Sequence, residues 1–104
     1  MVLIARDGDV WVFKSPDRAG AFMEAQDVRD GEYRVFDCAG REYLVSAESD
    51  SSPVVVGQII GDEVHSDLVR GAVTRYLSAI ANRAEMAAGP SDFDVCESIR
   101  AYAR

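Results

Sequence analysis

Apolar residues come in short runs over the first sixty positions and at helical spacing later, so strands come first and the longest helix follows. Residues 2 to 6 and 10 to 14 are apolar and rich in β-branched and aromatic side chains, with Asp7-Gly8-Asp9 between them. That arrangement predicts a β-hairpin. Val10-Trp11-Val12-Phe13 is apolar at successive positions, so both faces of this strand need cover, which predicts a central strand or one that meets a partner. Ser15-Pro16-Asp17 supplies a capping hydroxyl, a proline at the first helical position and an acid near the positive end of the dipole. A helix from Pro16 to Gln26 is expected, with Ala19, Phe22, Met23 and Gln26 recurring at spacings of three and four, so that Phe22 and Met23 lie on the sheet.

After the break at Asp30-Gly31, residues 32 to 37 alternate: Tyr33, Val35 and Asp37 face one way, Arg34 and Phe36 the other. Cys38-Ala39-Gly40 turns the chain into residues 41 to 47, a second hairpin. A polar loop over residues 48 to 53 leads to a fifth strand over Val54 to Val56, with a possible continuation to Ile60 that Gly57 leaves open. From Ser66, a plausible N-cap, Val69, Val73, Tyr76, Leu77, Ile80 and Ala84 form one apolar stripe, and Gly89-Pro90 is the expected stop. A short last helix over residues 91 to 102 would present Phe93, Cys96, Ile99 and Tyr102 on one side. The order is β-β-α-β-β-β-α-α, an α+β class in which an antiparallel sheet of about five strands carries helices on one face.

Size leaves room for one domain. Dividing 104 residues would give halves too small to bury a core, so residues 1–104 are read as one unit. The run Val2-Leu3-Ile4-Ala5 is too short for a signal peptide, and nothing approaches the length of a membrane span, which makes the cytoplasm the default location. Cys38 and Cys96 show no CxxC or Cys/His spacing; a reduced pair is the simple expectation, with a disulfide open as the alternative.

Charge changes the picture more. The chain carries a formal net charge of −7, and residues 1 to 66, with 13 Asp/Glu against 6 Lys/Arg, hold all of it. Nucleic acids and anionic membranes are therefore poor partners, whereas an acidic face steers a basic protein towards it. The acids gather at predicted turns. Asp7, Asp9, Asp27, Asp30 and Glu32 are the candidate partner-binding residues, provided the two turns share one edge of the sheet, with Trp11, Tyr33 or Tyr43 as anchors nearby. Turn formation accounts for each acid singly, and the core is the favoured place for Trp11.

No catalytic, cofactor-binding or metal-binding residues are assigned, and no cofactor is expected. His65 follows Asp62-Glu63 but has no second His or nearby Cys for a metal set, and as a residue at a helix start it needs no chemistry. The glycines form no phosphate-binding motif, and the serines lack a nucleophile-elbow setting.

Phe13, Ser15, Ala19, Glu24, Asp27-Val28, Gly31-Glu32-Tyr33, Phe36-Asp37 and Gly40-Arg41 resemble a pattern of small bacterial proteins of unassigned function, some of them similar to immunity proteins encoded beside toxins. This resemblance covers residues 10 to 45 and rests on capping, turn and core positions. It implies a non-enzymatic interaction protein, an immunity protein or antitoxin, and transfers no site residue. The alternative expectation is a small-ligand or regulatory domain with a pocket between the sheet and the long helix. Whether an exposed sheet face pairs two copies is left open.

Overall fold

The computed structural model describes residues 1–80 and 95–103. Strands β1 (Val2–Ala5), β2 (Val10–Val12), β3 (Tyr33–Phe36), β4 (Arg41–Ser46) and β5 (Val55–Val64) are joined by helices α1 (Pro16–Phe22), α2 (Ala25–Arg29), α3 (Ser66–Ile80) and α4 (Val95–Tyr102). The strands form one sheet in the order β2-β1-β3-β4-β5, every neighbouring pair antiparallel. The α+β class and the antiparallel five-stranded sheet are as the residue pattern predicts.

Helices cover both faces of this sheet, which corrects the expectation of one. Val2, Val12 and Phe36 pack against Val69, Ala72, Val73, Tyr76 and Leu77 of α3 and against Val95 and Ile99 of α4. Leu3, Phe13 and Val35 pack on the other side with Ala19 of α1 and with Met23. The reason lies in β1 and β3, whose adjacent residues Val2, Leu3, Val35 and Phe36 are all 0% exposed, so each face offers an apolar surface that only a separate layer can dry. Burying each such side chain contributes about 1.5–3 kcal/mol.

β2 is an edge strand, not a central one. β1 takes the inner place because it pairs with β2 through the local hairpin and with β3 through the crossover that α1 and α2 make. Both faces of the β2 segment are nonetheless covered, since Val12 joins the α3 layer and Phe13 the α1 layer.

The single helix expected over residues 16 to 26 is two. Ser15 caps α1 by accepting from the Arg18 amide at 3.2 Å, with Pro16 and Asp17 in the predicted places. Met23 then turns to extended backbone and buries its side chain, and α2 restarts after Glu24. The break leaves Met23 packed with Leu3 and Val35 of the sheet. β5 is longer than expected and runs through Gly61, whose φ of 72° accommodates an irregularity in pairing with β4. Ala84, Gly89-Pro90 and Phe93, and the first residues of the last predicted helix, lie outside the described residues.

The turn between β3 and β4 fastens the molecule. One oxygen of Asp37 accepts from the amides of Ala39 and Arg41, each at 3.0 Å, and the other accepts from the Tyr43 hydroxyl at 3.1 Å. Gly40, at φ 95°, accepts from the His65 amide through its carbonyl at 2.7 Å, which docks the start of α3 on the turn. Cys38 in the same turn is joined to Cys96 of α4 by a disulfide, so the expectation of reduced thiols is corrected. Antiparallel pairing and α3 packing bring together two cysteines 58 positions apart, a proximity no local spacing encodes. Closing a loop of that length stabilises the fold by ~4 kcal/mol in the chain-entropy account.

Candidate functional site: the acidic turns

The register of β1 against β3 sets Ala5 opposite Tyr33, and the Arg6 amide extends the ladder by donating to the Glu32 carbonyl at 2.7 Å. The 7–9 turn and the 27–32 segment therefore meet at one end of the sheet. Asp7 shapes its turn by accepting from the Asp9 amide at 3.1 Å. Asp27 closes the other by accepting from the Glu32 amide through its carbonyl at 3.0 Å.

Tyr33 is the centre of this surface. Burial pushes its phenol above the ordinary range, and the carboxylates of Asp27, Glu24 and Asp7 push it the same way. Three acids from two segments, the 7–9 turn and the start of α2, thus share one electrostatic neighbourhood with a half-buried aromatic ring.

The five predicted acids separate into groups. Asp7 and Asp27 converge on Tyr33. Asp30 and Glu32 lie around Arg6, which donates to the Asp30 carbonyl at 3.3 Å and pairs with the Glu32 carboxylate at 3.4 Å. Asp9 faces away, on the wall of a cavity of about 430 Å³ at the β2 edge, together with Val10, Trp11, Arg75, Tyr76 and Ala79. Trp11 is half-buried, its ring 5.0 Å from that of Phe22, so it is partly core and partly cavity wall.

Some features had no local signal. Glu24 belongs to the Tyr33 group only because the helix breaks at Met23. Arg6 and Arg29 moderate the negative surface by pairing with Glu32 and with Asp50, the latter at 2.6 Å. Exposed pairs of this kind contribute about 0–1 kcal/mol each to stability.

A second cluster occupies the sheet near the start of α3. Arg34 binds Glu42 through two hydrogen bonds of 3.0 and 2.8 Å and lies over the Phe36 ring. The hydrogen bonds to Arg34 hold the Glu42 carboxyl below the ordinary range against the opposing effect of burial. His65 sets its ring edge-on to Phe36 and its Nε2 3.6 Å from Glu63, whose side chain is 86% exposed. Such a pair gives a base no fixed orientation. Among the described residues no group of three or more His, Cys, Asp or Glu side chains could hold a metal ion, and no helix is long and apolar enough to cross a membrane.

Comparison with known proteins finds no matching family model, no similar curated protein and no similar solved structure.

Proposed function

We propose that this is a non-enzymatic protein-interaction domain that engages a basic protein surface through the acidic turns around Tyr33. The observation that carries this reading is the convergence of Asp7, Glu24 and Asp27 on one half-buried tyrosine. An aromatic anchor inside a field of one sign suits an Arg-rich or Lys-rich partner, because the charge steers encounter and the ring supplies contact area. An immunity protein or antitoxin covering a basic toxin surface is the concrete form of this function. The Cys38–Cys96 bridge favours an oxidising compartment over the cytoplasm as its setting.

The test is affinity capture from the native cell at low and moderate salt, followed by association kinetics with the captured protein. A basic partner lost as salt rises is expected, and replacing Asp7, Glu24 and Asp27 together by Lys should slow association about tenfold or more. Unchanged association in that variant would remove the acidic turns from the interface.

The cavity of about 430 Å³ between β2 and α3 supports a second reading, a small-ligand or regulatory domain. Trp11 and Tyr76 on its wall suit a small aromatic ligand, with Asp9 and Arg75 offering one charge of each sign. Binding to the native state raises stability, so a thermal-shift screen of such metabolites that moves no melting temperature would set this reading aside.

A further inference from the structure

We infer that two copies of this chain pair through their β5 strands, antiparallel about a twofold axis between Gly57 and Gln58. β5 closes the sheet on one side, and among the described residues no strand lies beyond it. A sheet edge presents backbone donors and acceptors, and natural edges are ordinarily blunted by shortness, charge, proline or bulges. β5 carries Asp62 and Glu63 beyond Gly61 and is irregular against β4, so the pairing is confined to residues 55–60. β5 has ten residues, and Val55, Ile59 and Ile60 are 56%, 40% and 40% exposed. Such a backbone row fits an extended strand, and the order of side chains selects the occupant.

Across the proposed axis Val55 meets Ile60 of the second copy, Val56 meets Ile59, and Gly57 meets Gln58. Every apolar residue of the stretch 55–60 thus opposes another. The faces also agree. Val56 pairs with Val45 and Ile59 with Tyr43, so one extra β5 residue between them turns Val56 and Ile59 to the same face. Val55 and Ile60 then share the opposite face with Leu44, itself 44% exposed. Without that extra residue, residues related by this axis would point to opposite sides of the joined sheet.

Charge selects the antiparallel arrangement of like strands. Asp62 and Glu63 sit at one end of β5, so a parallel pair would set each acid beside its own copy. The antiparallel pair carries them past the far strand, opposite Pro53 and Ser52. Cross-strand side-chain pairs are the unit of sheet stabilisation, and every contact occurs twice in an isologous interface. Each copy carries −7, so the pair forms against net repulsion and tightens as salt rises. This salt response is opposite in sign to that of a basic partner, and the two proposals fail separately.

The experiment is sedimentation equilibrium of the full chain across a concentration series at low and high salt. It covers the unaltered protein, Val55→Glu, Ile60→Lys and the double variant V55E/I60K, with circular dichroism to verify folding. A salt-strengthened dimer is expected, weakened about tenfold or more by either single substitution. The double variant should recover it, because the introduced carboxylate of each copy then faces the introduced ammonium of the other. Both sites are exposed, so folded variants are expected. A protein that stays monomeric at its highest soluble concentration in high salt overturns the inference. So does a dimer indifferent to the single changes, or a folded double variant as weak as the singles.

Discussion

Val10-Trp11-Val12-Phe13 and Val54-Val55-Val56 with Ile59-Ile60 are about equally apolar along the chain, yet the first stretch is closed over and the second is largely open. On the β2-β1-β3 side, Val2, Leu3, Val35 and Phe36 are 0% exposed between two helical layers. On the β4-β5 side, α1 and α2 help to cover Val45 and Val56, while Leu44, Val55 and Ile60 on the other face remain between 40% and 56% exposed. What separates them is where α3 comes to rest. Its docking point on Gly40 sends it across β1 and β2, leaving the Leu44, Val55 and Ile60 face of β4 and β5 exposed. Hydrophobicity along a strand states a demand for cover, and the topology decides which demands are met.

The largest effect that tests this contrast is truncation on either side of it. Leu3→Ala removes a fully buried side chain between two layers and should cost about 2–5 kcal/mol in urea denaturation. Ile60→Ala, measured dilute enough to be monomeric, should stay within ~0.5 kcal/mol. Equal losses would mean that the open side is covered in solution even in the monomer.

A pair of glycines sharpens the same comparison with a smaller effect. Gly40 and Gly61 have φ of 95° and 72°, so alanine is strained at both by about 1–2 kcal/mol. At Gly61 a Cβ meets nothing within 4 Å, whereas at Gly40 it would sit 2.7 Å from the Ser66 nitrogen and 2.8 Å from the His65 carbonyl carbon. Thermal melts should therefore show a loss for Gly40→Ala clearly exceeding that for Gly61→Ala. Similar losses would mean that α3 does not seat on the turn.

The smallest effect concerns the seam between the two sides, where Arg34 on β3 holds Glu42 on β4. Because the folded carboxyl titrates below its ordinary value, the pair adds stability that is fully present above the unfolded glutamate value and is lost as pH falls through the folded one. Glu42→Gln should lower stability near neutrality and flatten the acid limb of the stability–pH curve, so that the variant and the unaltered protein converge at low pH. An acid limb identical to that of the unaltered protein would show that the pair adds nothing.

Local chemistry made much of this legible. The cap at Ser15, the turns at Gly8, Gly31 and Gly40 and the alternation in β3 all follow from interactions within a few residues. The Tyr33 site was legible only in part. Asp7 and Asp27 stood out as acids at turns, but their meeting depends on the pairing of β1 with β3. Glu24 and Arg6 entered the site through that pairing and through the break at Met23. By its place in the sequence His65 is a residue at a helix start that needs no chemistry; its amide donates to the Gly40 carbonyl and its ring lies edge-on to Phe36, contacts that depend on the tertiary fold.

The sequence by itself determined the strands, the principal helices, the caps and the excess of negative charge in residues 1 to 66, because backbone propensity and short-range periodicity act within a turn or two. Tertiary structure alone decided that β1 lies inside and β2 at the edge, that helices fall on both faces, that Cys38 reaches Cys96 and that β5 stands open. Each of those outcomes depends on contacts between residues remote in the chain, whose free energy exists only once the layers have packed.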